Sequence, residues 1–485
     1  MKPHLNTRET APIERRNLPT NAPHASHSPN ADRRSATLIL GVAVIALGYT
    51  LQISNGTFHL KAFAWLAVAC TLCLSGVITP RFGFLERLSE RPTFLLLSAG
   101  LVFQGWQLLV APSAAGVTFG QASFAATMLA AALICVGVFS RAPWLKHAAI
   151  AVLLVSHFLL GVWVIREVPN PTIDVHLFHK ESLDALLRGV NPYTISVLNI
   201  YGHTHYYGEG IVTDGRVQIG FPYPPLSLLL SLPGHLLGGD HRYSHLAAMT
   251  LAAVLMAYAR PGLLGALAAG LFLFTPRVFF VLEQGWTEPY VVLMLSATVF
   301  CACRAPKLLP YALGLLFAIK QYMLFAVPLV FLLTPAPFRW KDVFSLLSKA
   351  ALVAALVTLP LALLNLRVFL DDVVVVQFRQ PFRTDALSFL AWLALEMKIK
   401  LPEWTAFAAL VPATMLALRR AARTPAGFAA AAAFVYLTFF ALNKQAFCNY
   451  YFFVVGALCV AVAAASQNIP EDGARSAAVS SRYLS

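Results

Sequence analysis

Apolar residues come in long runs along most of the chain, and many reach the roughly 17 to 25 residues a helix needs to cross about 30 Å of hydrocarbon. Five open the chain, at 36–52, 62–78, 93–110, 118–139 and 148–165. Others follow at 244–258, 263–282, 291–303, 309–333, 343–364, 406–418, 428–442 and 452–465. The pattern predicts an all-α polytopic membrane protein with roughly 13 transmembrane helices. Residues 36–140 form a four-helix membrane module, and 141–466 form the main body.

The polar segments between the runs set the expected orientation. Residues 1–35, with Arg8, Arg15, Arg16, Arg33 and Arg34, read as a disordered basic tail in the cytoplasm. The first apolar run starts too late for a cleavable signal peptide. Arg81, Arg87, Arg91, Arg141 and Lys146 then fall on the tail's side, as positive-inside placement requires. Arg260, Arg304, Lys307, Arg339, Lys341, Arg419, Arg420 and Arg423 join them on two conditions. Residues 223–239, broken by Pro233, must lie along the membrane surface, and 309–333 must be a hairpin with Lys320 at its outer tip. Residues 467–485 read as a second cytoplasmic tail. The expected location is the plasma (inner) membrane, crossed many times.

The longest polar interruption, 166–222, is then on the outer face. It holds roughly a quarter of the acidic residues in about an eighth of the chain, and loops this long inside a compact body are usually functional. From Asp174, the residues Val175, Phe178, Leu183, Leu186 and Leu187 share one helical face, and Lys180, Glu181, Asp184 and Arg188 share the other. This is an amphipathic helix suited to a membrane surface. Gly189 ends it, and Asn191-Pro192 turns the chain.

Composition agrees. The chain is 58% hydrophobic and 12% charged, about half the charge of a soluble domain. A net charge of +14 raises the question of nucleic acid. Its basic residues sit in short clusters between apolar runs, however, so the charge orients the chain in the membrane and no nucleic-acid partner is expected. Seven cysteines lie mostly within or beside apolar runs. Cys70-x-x-Cys73 and Cys301-x-Cys303 lack polar or His neighbours and read as packing cysteines.

Four outer segments carry candidate chemistry. Asp174 is either a helix cap or a general base for an acceptor hydroxyl at the membrane–water boundary. Glu283-Gln284-Gly-Trp286-Thr-Glu288 puts two carboxylates beside a Trp, which suits either a sugar site or a solvated helix end. Lys320-Gln321 sets a cation in an apolar stretch, where charge is costly and usually functional, and a lipid phosphate is its natural partner. Lys444, with Asn449 and Tyr450, is either an interfacial anchor or a group that neutralises a leaving phosphate. Arg379, with Arg383 and Asp385, adds a weaker signal for acceptor contacts. His176, His179, His203 and His205 are spaced for a metal, but no rigid frame fixes the second pair. No metal site and no cofactor are assigned; a loosely bound divalent cation is the most these four would hold.

The stretch Asp174-Val-His176-Leu-Phe-His179, the turn Gly189-Val-Asn191-Pro-Tyr193 and the segment Phe221-Pro-Tyr223-Pro-Pro225 together resemble the GT-C superfamily of membrane glycosyltransferases. Within it they are most similar to the bacterial polyprenyl-phosphate-mannose-dependent mannosyltransferase family. The resemblance covers roughly 147–465 and rests on order and spacing more than on any one motif. It implies that Asp174 is the catalytic carboxylate and that the turn of Lys444 faces the donor phosphate, the role already expected of Lys320 from its intramembrane charge. His176, Asn191, Tyr193, Tyr223, Glu283, Gln284, Glu288, Gln321, Arg379, Asn449 and Tyr450 would line the substrate site. The implied reaction moves a hexose, mannose by the resemblance, from a polyprenyl-phosphate carrier to a glycan or glycolipid on the non-cytoplasmic face. The chain departs from the superfamily in placing its outer loop after the fifth helix rather than the first, which makes 36–140 an added module. The main alternative, a transporter or lipid-linked sugar flippase, would place ionisable groups on broken helices in repeated halves, and no such duplication is visible. A non-catalytic assembly or sensor protein is a further alternative.

Overall fold

The computed structural model describes residues 29–78, 90–111, 116–140, 142–202, 206–334 and 339–465. Most of the expected N-terminal tail, the whole C-terminal tail, Arg81, Arg87, Arg141 and the His203/His205 pair lie outside these residues.

Five helices open the fold: α1 (Pro29–Ser54), α2 (Leu60–Ile78), α3 (Glu90–Val110), α4 (Gly116–Ser140) and α5 (Pro143–Glu167). They match the five apolar runs to within a few residues except at the first end. There α1 starts at Pro29, inside the segment expected to be tail. Proline is favoured at a first helical position because its missing N–H has no partner to lose there. The turn from α1 to α2 needs Gly56, whose φ is +77°. A side chain there would run into the backbone of Cys448.

The outer loop contains α6 (Asp174–Leu187) and three two-residue strands, β1 (Val197–Leu198), β2 (Val212–Thr213) and β3 (Arg216–Val217), antiparallel in the order β1-β3-β2. Val175, Phe178 and Leu183 are buried on the expected face of α6, while Leu187 is exposed. The helix ends at Arg188, with Gly189 at φ +73°. Next comes α7 (Pro225–Gly238), which lies beside α6. The ring of Tyr223, just before it, sits 6.0 Å from that of His179. Near its other end, His235 Nε2 is 3.1 Å from Asp184 Oδ1.

The second half comprises α8 (Arg242–Ala259), α9 (Leu264–Leu273), α10 (Val278–Gln284), α11 (Glu288–Arg304) and α12 (Leu309–Ile319), then a 3-10 helix over Gln321–Leu333. After these come α13 (Trp340–Ala362), the short pieces α14 (Leu366–Leu370), a π turn (Asp371–Val375) and α15 (Val376–Arg379), then α16 (Phe389–Glu396), α17 (Thr405–Arg420), α18 (Pro425–Ala441) and α19 (Cys448–Ala463). Among the described residues six helices are long and apolar enough to cross a membrane, seven if the bent pair α9–α10 is one span. The protein is therefore an all-helical, membrane-type bundle.

Two of the expected apolar stretches contain breaks. Residues 263–282 read as one span, but the axis bends by 52° between α9 and α10. Pro276 cannot donate a helical hydrogen bond and pushes the residue before it out of the helical region, and Arg277 follows at φ +71°. Residues 309–333 read as a hairpin with Lys320 at its tip. Lys320 is an extended break (φ −154°, ψ 140°) between α12 and the 3-10 helix, and at 4% exposed it is buried. The halves on either side lean chiefly on different neighbours, α12 on α13 and the 3-10 helix on α18.

Helix α19 is the central post. Nearly all its side chains are buried, and α1, α8, α9, α11 and α18 pack around it. Gly456 lets Val292 of α11 come close. By contrast α13 leaves Phe344, Leu352 and Leu356 exposed, the character of a helix facing lipid. The polar ends and breaks of the central helices are thereby gathered beneath the outer loop.

Candidate functional site

Asp174 is the first residue of α6, with Ile173 in the capping position, so it is not the N-cap. Its carboxylate is held instead by the loop. Tyr207 donates its hydroxyl to Oδ2 (2.8 Å) and Tyr201 to Oδ1 (3.2 Å), and the Val175 N–H donates to Oδ1 (2.8 Å). Burial raises the Asp174 carboxyl above its ordinary value, and these donors partly oppose the rise. Burial, then the Asp174 charge, pushes both phenols upward, so they stay protonated as donors.

The second element is a buried ion pair. Glu288 starts α11 after the left-handed Gly285 that ends α10. Its Oε1 accepts from Lys320 Nζ (2.5 Å), Asn449 Nδ2 (3.0 Å) and Tyr322 OH (3.5 Å). Among the described residues its Oε2 has no hydrogen-bond partner. Lys320 Nζ also donates to Thr287 Oγ1 (2.8 Å). It lies 4.9, 5.4 and 5.8 Å from the ring centres of Tyr223, Tyr322 and Tyr450, within cation–π range. Gln321 leaves its Oε1 buried and without a hydrogen-bond partner among the described residues. The start of α11, the break at Lys320 and the first turn of α19 thus converge on one place.

Tyr223 joins the two elements. Its phenol is pushed well above its ordinary value, first by burial and then by the charges of Glu288 and Asp174. The same two charges reach Tyr450, so the fields of both carboxylates overlap at this pair of phenols. Such an arrangement offers a base, a cation, a free carboxylate oxygen and aromatic faces, the groups a hydroxylated anionic ligand needs.

Other expected site residues have different surroundings. Asn191 Oδ1 accepts the Tyr193 N–H (3.0 Å), and the Tyr193 hydroxyl, 1% exposed as a residue, donates to the Tyr223 carbonyl (3.0 Å). Both brace Tyr223. Lys444 Nζ donates to the carbonyls of Phe378 (3.0 Å) and Gln380 (2.6 Å) and to Glu403 Oε2 (2.8 Å). Those three acceptors occupy all three of its donors. Exposed Arg379 abuts Gly208 through its carbonyl, next to Tyr207 at the rim. Glu283 and Gln284 end α10 beside Arg242, whose guanidinium donates to the Glu283 carbonyl (3.1 Å).

His176 belongs to a buried imidazole cluster. Its ring centre is 4.8 Å from that of His241, and His179 is 4.9 Å from His241 and 5.7 Å from His245. Burial holds His176 and His179 neutral, both pushed down to about 4. Sequence reasoning missed His241, His245 and Asp240, as well as Tyr201, Tyr207, Thr287 and Tyr322. The i, i+4 spacing of His241 and His245 on one helix face was the only available signal for the cluster.

Comparison with protein-family models, curated proteins and solved structures returns no match.

Proposed function

We propose that the protein is a membrane hexosyltransferase with a GT-C-like body, transferring mannose from a polyprenyl phosphate to a glycan or glycolipid at the outer face of the plasma membrane. One observation carries the reading: Asp174, held by outer-loop tyrosines, and the buried Lys320–Glu288 pair, with Lys320 over the rings of Tyr223 and Tyr450, act electrostatically on the same two phenols. With α7 lying flat, and α12 and the 3-10 helix as two crossings, alternation puts Asp174, Glu288, Lys320 and Asn449 on one face. It puts Arg260, Arg304 and Arg420 on the other.

The proposed step is a single displacement. The acceptor oxygen bonds to the anomeric carbon as the bond from that carbon to the phosphate oxygen breaks. Asp174 takes the hydroxyl proton, and the electron pair leaves on the phosphate. Lys320 stabilises that charge by exchanging part of its contact with Glu288 for the phosphate. Inversion at the anomeric carbon follows. Tyr223 and Tyr450 supply the sugar platform, and Glu288 Oε2, Gln321 and Asn449 supply hydroxyl contacts. His176, Asn191 and Tyr193 position the site, Arg379 stands at the acceptor rim, and Lys444 stabilises the outer loop region. This reading requires no cofactor.

The test offers the reconstituted protein polyprenyl-phosphate-linked mannose, polyprenyl-phosphate-linked glucose and a nucleotide sugar. Transfer from a lipid donor and none from the nucleotide sugar is expected. Use of the nucleotide sugar alone would refute the donor class. A buried ion pair at a helix break also suits a transporter or lipid-linked sugar flippase. Movement of intact lipid-linked sugar across the bilayer, without transfer, would favour that second reading.

A further inference from the structure

Beside the proposed transfer site, α6 and the start of α8 bury a set of nitrogen and oxygen donors that no step above uses. His176, Asp240 and His241 each present a ligand atom, all within 4.8 Å of one another. His179 and His245 complete the cluster. Each directs Nδ1 to a backbone carbonyl one helical turn earlier, Val175 (2.8 Å) and His241 (3.2 Å) respectively. With Nδ1 donating, Nε2 is left as the lone-pair nitrogen, the tautomer a metal-binding histidine adopts. Both Nε2 atoms are buried and have no hydrogen-bond partner among the described residues, as is the case for His176 Nδ1 and His241 Nε2.

Four such nitrogens in one buried cluster are unusual, since buried polar atoms are nearly always paired. Arg242 grips Asp240 through Nε and Nη2 (3.1 to 2.6 Å). This fixes the carboxylate's orientation, as an outer partner of a metal ligand does, and balances its charge.

We propose that His176, Asp240 and His241 form a binding site for one divalent transition-metal ion, Zn2+ by its donor set of neutral imidazole and one carboxylate. His179 and His245 stand next to it as further nitrogen donors. The ion clips α6, and with it Asp174, to the membrane body, so its role is structural. The inference does not depend on glycosyl transfer, because its readout is metal binding itself.

The experiment uses the full chain in detergent, stripped with a chelator and titrated with Zn2+ against a chromophoric competitor. Co2+ serves as a visible-spectrum probe. One equivalent is expected to bind, with a rise in the thermal midpoint as Zn2+ is added. His176→Gln and His241→Gln should each weaken binding at least tenfold and abolish that rise. His157→Gln, a buried histidine outside the cluster, and His203→Ala/His205→Ala should leave both unchanged. If the cluster variants unfold, zinc-edge X-ray absorption of the loaded wild type provides the second reading, with scattering from at least two imidazoles expected and its absence overturning the site. Binding absent in the wild type, or equal in the wild type and the folded cluster variants, overturns the site.

Discussion

Glu288→Gln isolates the energetics of the buried ion pair. The change removes a negative charge while keeping the side-chain size and an acceptor oxygen for Asn449. Lys320 is then left 4% exposed, facing Thr287 Oγ1 at 2.8 Å and three tyrosine rings. Removing one partner of a buried pair costs about 3–5 kcal/mol, because the survivor's charge is uncompensated. The rings offset part of that, at ~0.5–2 kcal/mol for a cation–π contact, so a loss of about 3 kcal/mol is expected. Lys320→Met should cost a similar amount, since it strands the carboxylate with Asn449 and Tyr322 alone. The double variant removes both charges and should lie within about 1 kcal/mol of wild type. Reversible unfolding of the protein in mixed micelles, followed by tryptophan fluorescence, measures all four corners of the cycle. A single-variant loss below about 1 kcal/mol, or a double variant as unstable as the sum of the singles, would refute this account.

Three further outcomes follow from other contacts. Tyr207→Phe removes the donor to Asp174 Oδ2; that bond favours the ionised carboxyl, so its loss raises the pKa and should move the acid limb of the pH–rate profile to higher pH. Asp372 is raised by burial from 3.8 to about 7, so its contribution to folding stability should be full below 3.8, decline as pH climbs to about 7 and then level off. Asp372→Asn should abolish that decline in thermal midpoints taken across the range. Lys444→Met frees the Phe378 and Gln380 carbonyls and Glu403. It should lower the thermal midpoint and increase proteolysis of the 376–403 segment, with the donor KM unchanged, whereas a raised donor KM in a stable variant would restore Lys444 to the phosphate site.

Much of the fold was legible because hydrophobic run length reports directly on helices in a membrane-type bundle. The first five helices appear where the runs do, and Asp174 opens the predicted loop helix. What local pattern could not show was where a span breaks. Pro276 bends α9–α10, and Lys320 turns an α-helix into a 3-10 helix, because neighbours satisfy the freed polar groups. At the site, Lys320 stood out as a charge amid apolar sequence and Glu288 as a carboxylate beside a Trp at a helix end, but their mutual pairing depends on three-dimensional packing. Asp240, His241 and His245 lie more than sixty residues from His176, and only the packing of α6 against α8 unites them. Asn191 and Tyr193 looked like ligand contacts because turn residues and binding residues share a chemistry. Their hydrogen bonds run to the neighbouring backbone and to the Tyr223 carbonyl, which only the folded turn reveals.

The central claim concerns Asp174 and a lipid-phosphate sugar donor. The direct measurement follows radiolabel from polyprenyl-phosphate-mannose in reconstituted vesicles, comparing wild type with Asp174→Asn. The account predicts label in a glycan or glycolipid product with wild type and none with the variant. It also predicts that the variant is folded, with a thermal midpoint at neutral pH no lower than wild type, since burial raises the Asp174 pKa and ionising it costs stability there. A folded Asp174→Asn protein that transfers mannose at the wild-type rate would contradict the account.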